Sequence, residues 1–192
     1  DDAMRGREIR FAVAPQTAQT RAEHDLDVPY TGKVKIWAWE VGTDDAIIDG
    51  DVYDASNKTF DSGKSYYYPV NGNKVDFVAV TVETIGTDAA NSYFTAPNRT
   101  TDGKTTMNFS TPAGILNHAT DAMTTELVSQ NSGTVPMILR HLMAKLNIRV
   151  QQTARFNAAT QCLVTLNDLQ IRKAHINGDV ALDQDWTAVN DG

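Results

Sequence analysis

The stretch "VPMILRHLMAKLNIRV", residues 135–150, holds two periodicities that cannot both describe one regular element. Its second half alternates as a strand does. Leu142, Ala144, Leu146, Ile148 and Val150 share one face, and Met143, Lys145, Asn147 and Arg149 share the other. In its first half the apolar set is odd-numbered: Val135, Met137 and Leu139, with His141 in phase. The apolar face therefore changes parity between His141 and Leu142. A short helix competes with the strand reading, because Leu139, Leu142, Met143 and Leu146 also satisfy the i, i+3, i+4, i+7 spacing without an intervening Gly or Pro. From these residues alone a helix and a long strand with a bulge both stand.

The neighbouring sequence favours strands. Short alternating runs rich in Thr, Val and aromatics are separated by "DSGK", "VNGNK", "TDGK", "QNSG" and "INGD", the punctuation of an all-β protein. The runs that read as strands are "EIRFAVAP", "GKVKIWAWEV", "SYYYPV", "KVDFVAVTVE", "TTMNFS", "VPMIL", "MAKLNIRVQQ" and "QCLVTLNDLQIRK". The chain lacks crossover helices for a parallel α/β sheet, so the spacing predicts a β-sandwich. "TDAMTTELVSQN" stays open between helix and extended loop. A seam is expected at residues 129–136, where the polar "SQNSG" gives way to a long apolar run. The unit beginning near Val135 has too few residues for a complete sandwich domain, so the chain is expected to stop partway through it.

Composition narrows the function classes. Apolar residues make up 41% and charged residues 21% of the 192, which is ordinary for a folded protein. Twenty-four acidic against seventeen basic residues give a net charge of −7. That balance argues against a nucleic-acid or anionic-membrane binder relying on Lys and Arg. The single cysteine, Cys162, precludes an intrachain disulfide and a Cys-based zinc site, and reads as a small buried apolar side chain. No apolar run reaches 18 residues, and the opening "DDAMRGRE" reads as a processed or trimmed start.

Nothing in the sequence assembles a catalytic set. His24, His118, His141 and His175 are scattered without metal-ligand spacing, and His118 with Asp121 reads as a polar pair on a surface loop rather than half a metal site. In "DDAIIDGDVYDASN", Asp49, Asp51 and Asp54 invite a calcium reading. Counted from Asp49, however, positions six and twelve are Asp54 and Phe60 rather than Gly and Glu. A solvated loop between strands is the better expectation. Trp37 and Trp39 in "IWAWE" share a strand face and would suit a sugar ring if that face were open. Val34, Ile36 and Ala38 opposite them are apolar too, which favours a strand buried on both sides. "EIRFAVAP" points Ile9, Phe11 and Val13 one way, and the polar stretch after it carries a single arginine, Arg21, which reads equally as an exposed linker residue open to a trypsin-like protease.

Four of these pieces, in order over residues 8 to about 171, resemble the fimbrillin family, subunits of the type V pili of Bacteroides-type bacteria. They are "EIRFAVAP" followed by "QTRA", then "KVKIWAWEV", then "YYYPVNGNKVDFVAV", and last "VPMILRHLMAKLNIRV" leading to "LVTLNDLQI". The resemblance implies two transthyretin-like Greek-key β-sandwich domains. Residues 1–21 would then be an N-terminal strand and processing segment, 22–133 the first sandwich, and 134–192 the start of an incomplete second. On this reading 135–150 is one strand that switches its inward face through a bulge near His141. The implied role is a non-enzymatic fimbrial subunit with no cofactor. It would be exported as a lipoprotein through an outer-membrane anchor upstream of Asp1.

The resemblance also implies an assembly mechanism. A self-complementing strand carrying Ile9, Phe11 and Val13 is released by an Arg-specific protease cutting at Arg21–Ala22. A strand from another pilus subunit then takes its place. Head-to-tail repetition of that contact makes a fibre that contributes to adhesion. The alternative within the same fold is a non-polymerising surface adhesin, tip or anchor subunit, binding a host glycan or protein through exposed aromatics such as Trp37 and Trp39.

Overall fold

The computed structural model describes residues 6–13, 31–56, 59–85, 88–91, 93–100, 102, 104–110, 122–142 and 177–183. Asp1–Met143 with Ile176–Gly192 form one compact unit and Ala144–His175 a second. All the described residues belong to the first.

Every element among the described residues is a strand. In chain order they are β1 (Arg10–Val13), β2 (Lys33–Glu40), β3 (Ala46–Ser56), β4 (Thr59–Asp61), β5 (Val75–Ile85), β6 (Asp88–Asn91), β7 (Asn98–Arg99), β8 (Thr105–Ser110), β9 (Met123–Thr124), β10 (Val128–Gln130), β11 (Thr134–Met137), β12 (Arg140–His141) and β13 (Asn177–Ala181). Over the described residues, the all-β sandwich expected from the alternation is what the chain forms.

Alternation explains the central pair. Val34, Ile36 and Ala38 of β2 lie on one face with Val75, Phe77 and Ala79 of β5, and Trp37 and Trp39 lie on the other with Val78 and Val80. β2 is hydrogen-bonded along its whole length to β5 and also to β3. Both faces of this pair are covered from Ile36 to Trp39, while Lys33, Lys35 and Glu40 are only partly buried, so the polar alternation of a half-solvated strand is confined to the start of β2.

The larger sheet runs β11-β1-β4-β3-β2-β5-β9-β12, with β10 and β6 also pairing with β5. β11 and β12 stand at opposite ends of that order, yet only Ile138 and Leu139 separate them. Three Cα steps reach at most about 11 Å, so the sheet must curl until its two ends meet. The interior of the curl is the first core, where Ile9, Phe11, Phe60, Val135, Met137 and Leu139 pack against the inner face of the β2–β5 pair. The smaller sheet, β13-β8-β7, brings Met107 and Leu182 to the outer face over Trp37 and Trp39.

This geometry answers the question posed by residues 135–150. The stretch through Leu142 is two short strands, neither a helix nor one bulged strand. Val135, Met137 and Leu139 enter the first core, and Leu142 packs against the second. The apolar face changes parity because the chain leaves one end of the sheet, joins the other, and passes from the inner core to the outer. Thr134–Met137, placed by sequence at the head of a second domain, pairs with β1 in parallel register, Phe11 opposite Val135. Residues 177–181 likewise pair with β8.

β3 also departs from expectation. Most of the acidic stretch, "AIIDGDVYDAS" over Ala46–Ser56, is an eleven-residue strand rather than a loop. Register shifts against β2 between Ile36 and Trp37 and between Ala38 and Trp39 break its alternation. Gly50 (φ 69°) sits at the first irregularity, where a Cβ would lie 3.0 Å from the Trp37 ring. Only a residue free to adopt the left-handed region, and without a side chain, fits there.

Candidate functional site

The N-terminal strand is short, but three neighbours hold it. β1 runs between β4, antiparallel with Phe11 opposite Phe60, and β11, parallel. Upstream of β1, the loop over residues 62–68 takes over the pairing. Ile9 N–H donates to the Tyr66 carbonyl (2.8 Å), Tyr68 N–H donates to the Arg7 carbonyl (2.9 Å), and Glu8 bridges to Tyr67. The backbone of residues 7–13 is thus stitched to the protein by hydrogen bonds along its length.

Its side chains fill a slot. Ile9 and Phe11 are buried, and Val13 is partly buried against the same core. The Phe11 ring stands edge-on to Tyr53 at 5.3 Å and to Phe77 at 5.6 Å, the T-shaped arrangement favoured by ring quadrupoles. Gly6 approaches the loop so closely that a Cβ there would lie 1.7 Å from the Tyr68 carbonyl oxygen. On the outer side, Glu8 is bonded by Arg10 at 2.8 Å and by the Ser65 hydroxyl at 3.0 Å. Those hydrogen bonds, with the Arg10 charge, hold its carboxyl below the usual carboxylate range.

Two contacts fix the walls of the slot. The Tyr68 hydroxyl donates to the Gly133 carbonyl at 2.9 Å, tying the 62–68 loop to the turn that starts β11. Asp51 on β3 accepts from Lys64 Nζ at 2.7 Å and from the Tyr66 hydroxyl, latching the other end of that loop. Burial pushes the Asp51 carboxyl up, but the bonds from Lys64 and Tyr66 outweigh it and leave its pKa lowered. The bond to Asp51 pushes the Tyr66 hydroxyl up to about 12. Burial does the same for Tyr53, also to about 12.

A second polar cluster joins the sheets. Arg99 of β7 donates to Asp76 of β5 at 2.5 Å, with side-chain exposures of 6% and 7%. Ser129 donates to the other Asp76 oxygen, and the guanidinium lies 5.4 Å from the Trp39 ring centroid. A desolvated ion pair of this kind contributes little net stability when intact, but losing one partner is costly.

Of the residues singled out from sequence, Ile9, Phe11 and Val13 come together in the slot. Trp37 and Trp39 are each 5% exposed within the second core, so neither indole face is open to a sugar. Val78, Val80, Met107 and Leu182 pack against them, and Arg99 lies over the Trp39 ring. Asp49, Asp51 and Asp54 lie along β3. Asp51 is taken by Lys64 and Tyr66, and Asp54 pairs with Lys33 at 3.2 Å. Among the described residues no three His, Cys, Asp or Glu groups are placed to hold a metal ion, and no helix is long and apolar enough to cross a membrane. Arg21, Ala22, His118, Asp121 and Cys162 lie outside the described residues.

Sequence reasoning missed Gly6, Asp51 and Tyr68 as parts of the slot, and the Arg99–Asp76 pair as a separate clamp between the sheets. The only signal was "SYYYP", where Tyr66 and Tyr68 share one side of an extended segment. Compared with known families, residues 20–191 match the sequence model of a family described as fimbrillin-like. No curated protein matches the chain.

Proposed function

The chain belongs to the fimbrillin-like family of structural pilus subunits, and on that premise we propose that it is a fimbrial subunit assembled by proteolysis-triggered strand exchange. One observation carries this reading. β1 is only four residues long, yet it fills a slot between β4 and β11 with Ile9 and Phe11. Burying those two side chains is worth about 3–6 kcal/mol, an upper bound set by the extended-chain reference. Domains are stable by about 5–15 kcal/mol in total. Removing β1 leaves the edges of β4 and β11 unpaired and the slot empty, and a strand from another subunit can satisfy both.

In this proposal an Arg-specific protease cuts at Arg21–Ala22 and releases the N-terminal piece. The replacing strand comes from another pilus subunit, and head-to-tail repetition builds a fibre at the cell surface that contributes to adhesion. Export as a lipoprotein, with an outer-membrane anchor in the precursor, belongs to the same reading. Burial of Trp37 and Trp39 takes the aromatic platform away from the alternative adhesin role, so a host glycan or protein would have to bind elsewhere.

Limited digestion with an Arg-specific protease, followed by intact mass and sizing, tests the proposal. The expected result is a cut after Arg21, loss of the N-terminal piece, and growth of higher oligomers. Resistance at Arg21, or a cut chain that keeps the strand and stays monomeric, favours the non-polymerising adhesin, tip or anchor subunit instead.

A further inference from the structure

The slot is shaped for more than apolar alternation. We infer that it selects its occupant by two positions: an aromatic side chain at the Phe11 site and a glycine five residues before it. The strand class it accepts is Gly-x-x-aliphatic-x-aromatic-x-aliphatic, the pattern of Gly6, Ile9, Phe11 and Val13. This inference rests on the strand-exchange reading and deepens it by naming the partner's chemistry.

The aromatic requirement comes from the walls. Phe11 presents its ring to two others, Tyr53 at 81° and Phe77 at 78°, and Tyr68 stands at 82° to Phe77 from the other direction, with centroids 6.1 Å apart. A flat ring satisfies these edge-to-face contacts and a branched aliphatic does not. The walls cannot close on a smaller side chain, because Phe77 is fully buried in β5 and Tyr68 is tied to Gly133. Shortening the side chain therefore leaves a cavity.

The glycine requirement is independent of the rings. It comes from the Tyr68 carbonyl, which a Cβ at position 6 would meet at 1.7 Å. The obstacle is backbone, and two hydrogen bonds across residues 7–9 fix it in place. Any other residue must swing the strand away and lose the pairing with Tyr66 and Tyr68. The two features sit five residues apart and lock the register: a strand shifted by two residues keeps its apolar face inward but puts an aliphatic in the ring pocket and a Cβ against the carbonyl.

The test uses the full chain carrying an engineered protease site between Val13 and Thr31, so that the cut does not depend on Arg21. After cleavage, labelled peptides copying residues 6–13 compete for the slot, with occupancy read by native mass spectrometry. Four peptides decide it: the native sequence, Phe11→Leu, Gly6→Ala, and one with Ile9 and Phe11 exchanged, which keeps composition and hydrophobicity. The native peptide is expected to bind, and each of the other three to bind about ten- to a hundredfold more weakly. Equal binding by the native and exchanged peptides overturns the selection and leaves a generic apolar groove. Failure of the native peptide to bind overturns the strand-exchange reading, and the selection with it. Chains with Phe77→Leu supply a second readout: selectivity for Phe11 over Leu should shrink while the Gly6 preference persists.

Discussion

β1 and the β2–β5 pair are built from similar apolar residues, but they occupy opposite positions in the economy of the fold. β2 has neighbours along both edges and packing on both faces, with Val34, Ile36 and Ala38 inward and Trp37 and Trp39 outward. β1 also has two neighbours, but it commits only one face to the core, and Arg10 on the other is exposed. Removing a strand from the centre destroys both cores. Removing β1 opens one slot in one core and leaves the second core, with its cover of β7, β8 and β13, untouched. A protein that must give up a strand and remain folded has to draw it from a position of the second kind.

The largest effect should come from the centre, where the two sheets are clamped. Arg99→Ala leaves the Asp76 carboxylate buried at 7% exposure with Ser129 as its remaining side-chain donor. A loss of about 3–5 kcal/mol is expected, measured by urea unfolding as a fall in the midpoint. Replacing both Arg99 and Asp76 by apolar residues of similar volume should restore much of it. If Arg99→Ala costs less than about 1 kcal/mol, the clamp is not what joins the sheets.

The next effect should come from β1, and its form matters more than its size. Phe→Ala in a core that has to stay in place costs about 3–5 kcal/mol. At Phe11 the strand can leave instead, so the loss is capped at whatever free energy holds β1 in its slot. Ordering four residues costs roughly 1–2 kcal/mol each in backbone entropy, which offsets much of the burial of Ile9 and Phe11. Phe11→Ala should therefore cost less than Phe77→Ala, and adding Ile9→Ala to it should cost little more. Hydrogen exchange checks this directly: amides of residues 9–13 should lose protection in Phe11→Ala while those of β2 keep theirs. Full additivity of the two substitutions, or simultaneous loss of protection in β2, breaks the distinction between the strands.

The same contrast separates what was readable in the sequence from what was not. β2 and β5 were legible because their central residues, 36–39 and 77–80, are apolar on both phases, and this also placed Trp37 and Trp39 inside. β3 was not, because the irregularity at Gly50 puts Ile48 and Tyr53 on the same side from opposite parities, and the acidic residues between them then look like a loop. The face change at Leu142 was visible, but its cause was not. It depends on the two ends of the sheet meeting, which no local pattern encodes. Of the slot, Ile9, Phe11 and Val13 could be read from period two. Its walls could not, since Tyr68, Gly133 and Asp51 are brought together only by the curl.

The smallest effect, and the sharpest test of how β1 is held, lies in the latch of the 62–68 loop. Asp51 carries a lowered pKa, so its contribution is complete above its ordinary value of 3.8 and fades as pH falls below it. Tyr66 is raised from 10.0 to about 12, so its contribution is complete below pH 10 and is lost as pH rises toward 12. Between those limits the latch should be insensitive to pH. Asp51→Asn removes the charge that holds both Lys64 and Tyr66, and the cost to global stability should be under about 1 kcal/mol because the pair is near the surface. The titration should change far more. Absorbance of tyrosinate against pH should show Tyr66 falling back toward 10.0, while Tyr53, raised chiefly by burial, stays near 12. Because the Tyr66 carbonyl accepts from Ile9 N–H, the freed loop should also let the Ile9 amide exchange faster, with β2 unchanged. If Tyr66 moves and Ile9 does not, the loop is latched but does not hold the strand, and β4 and β11 alone keep β1 in place.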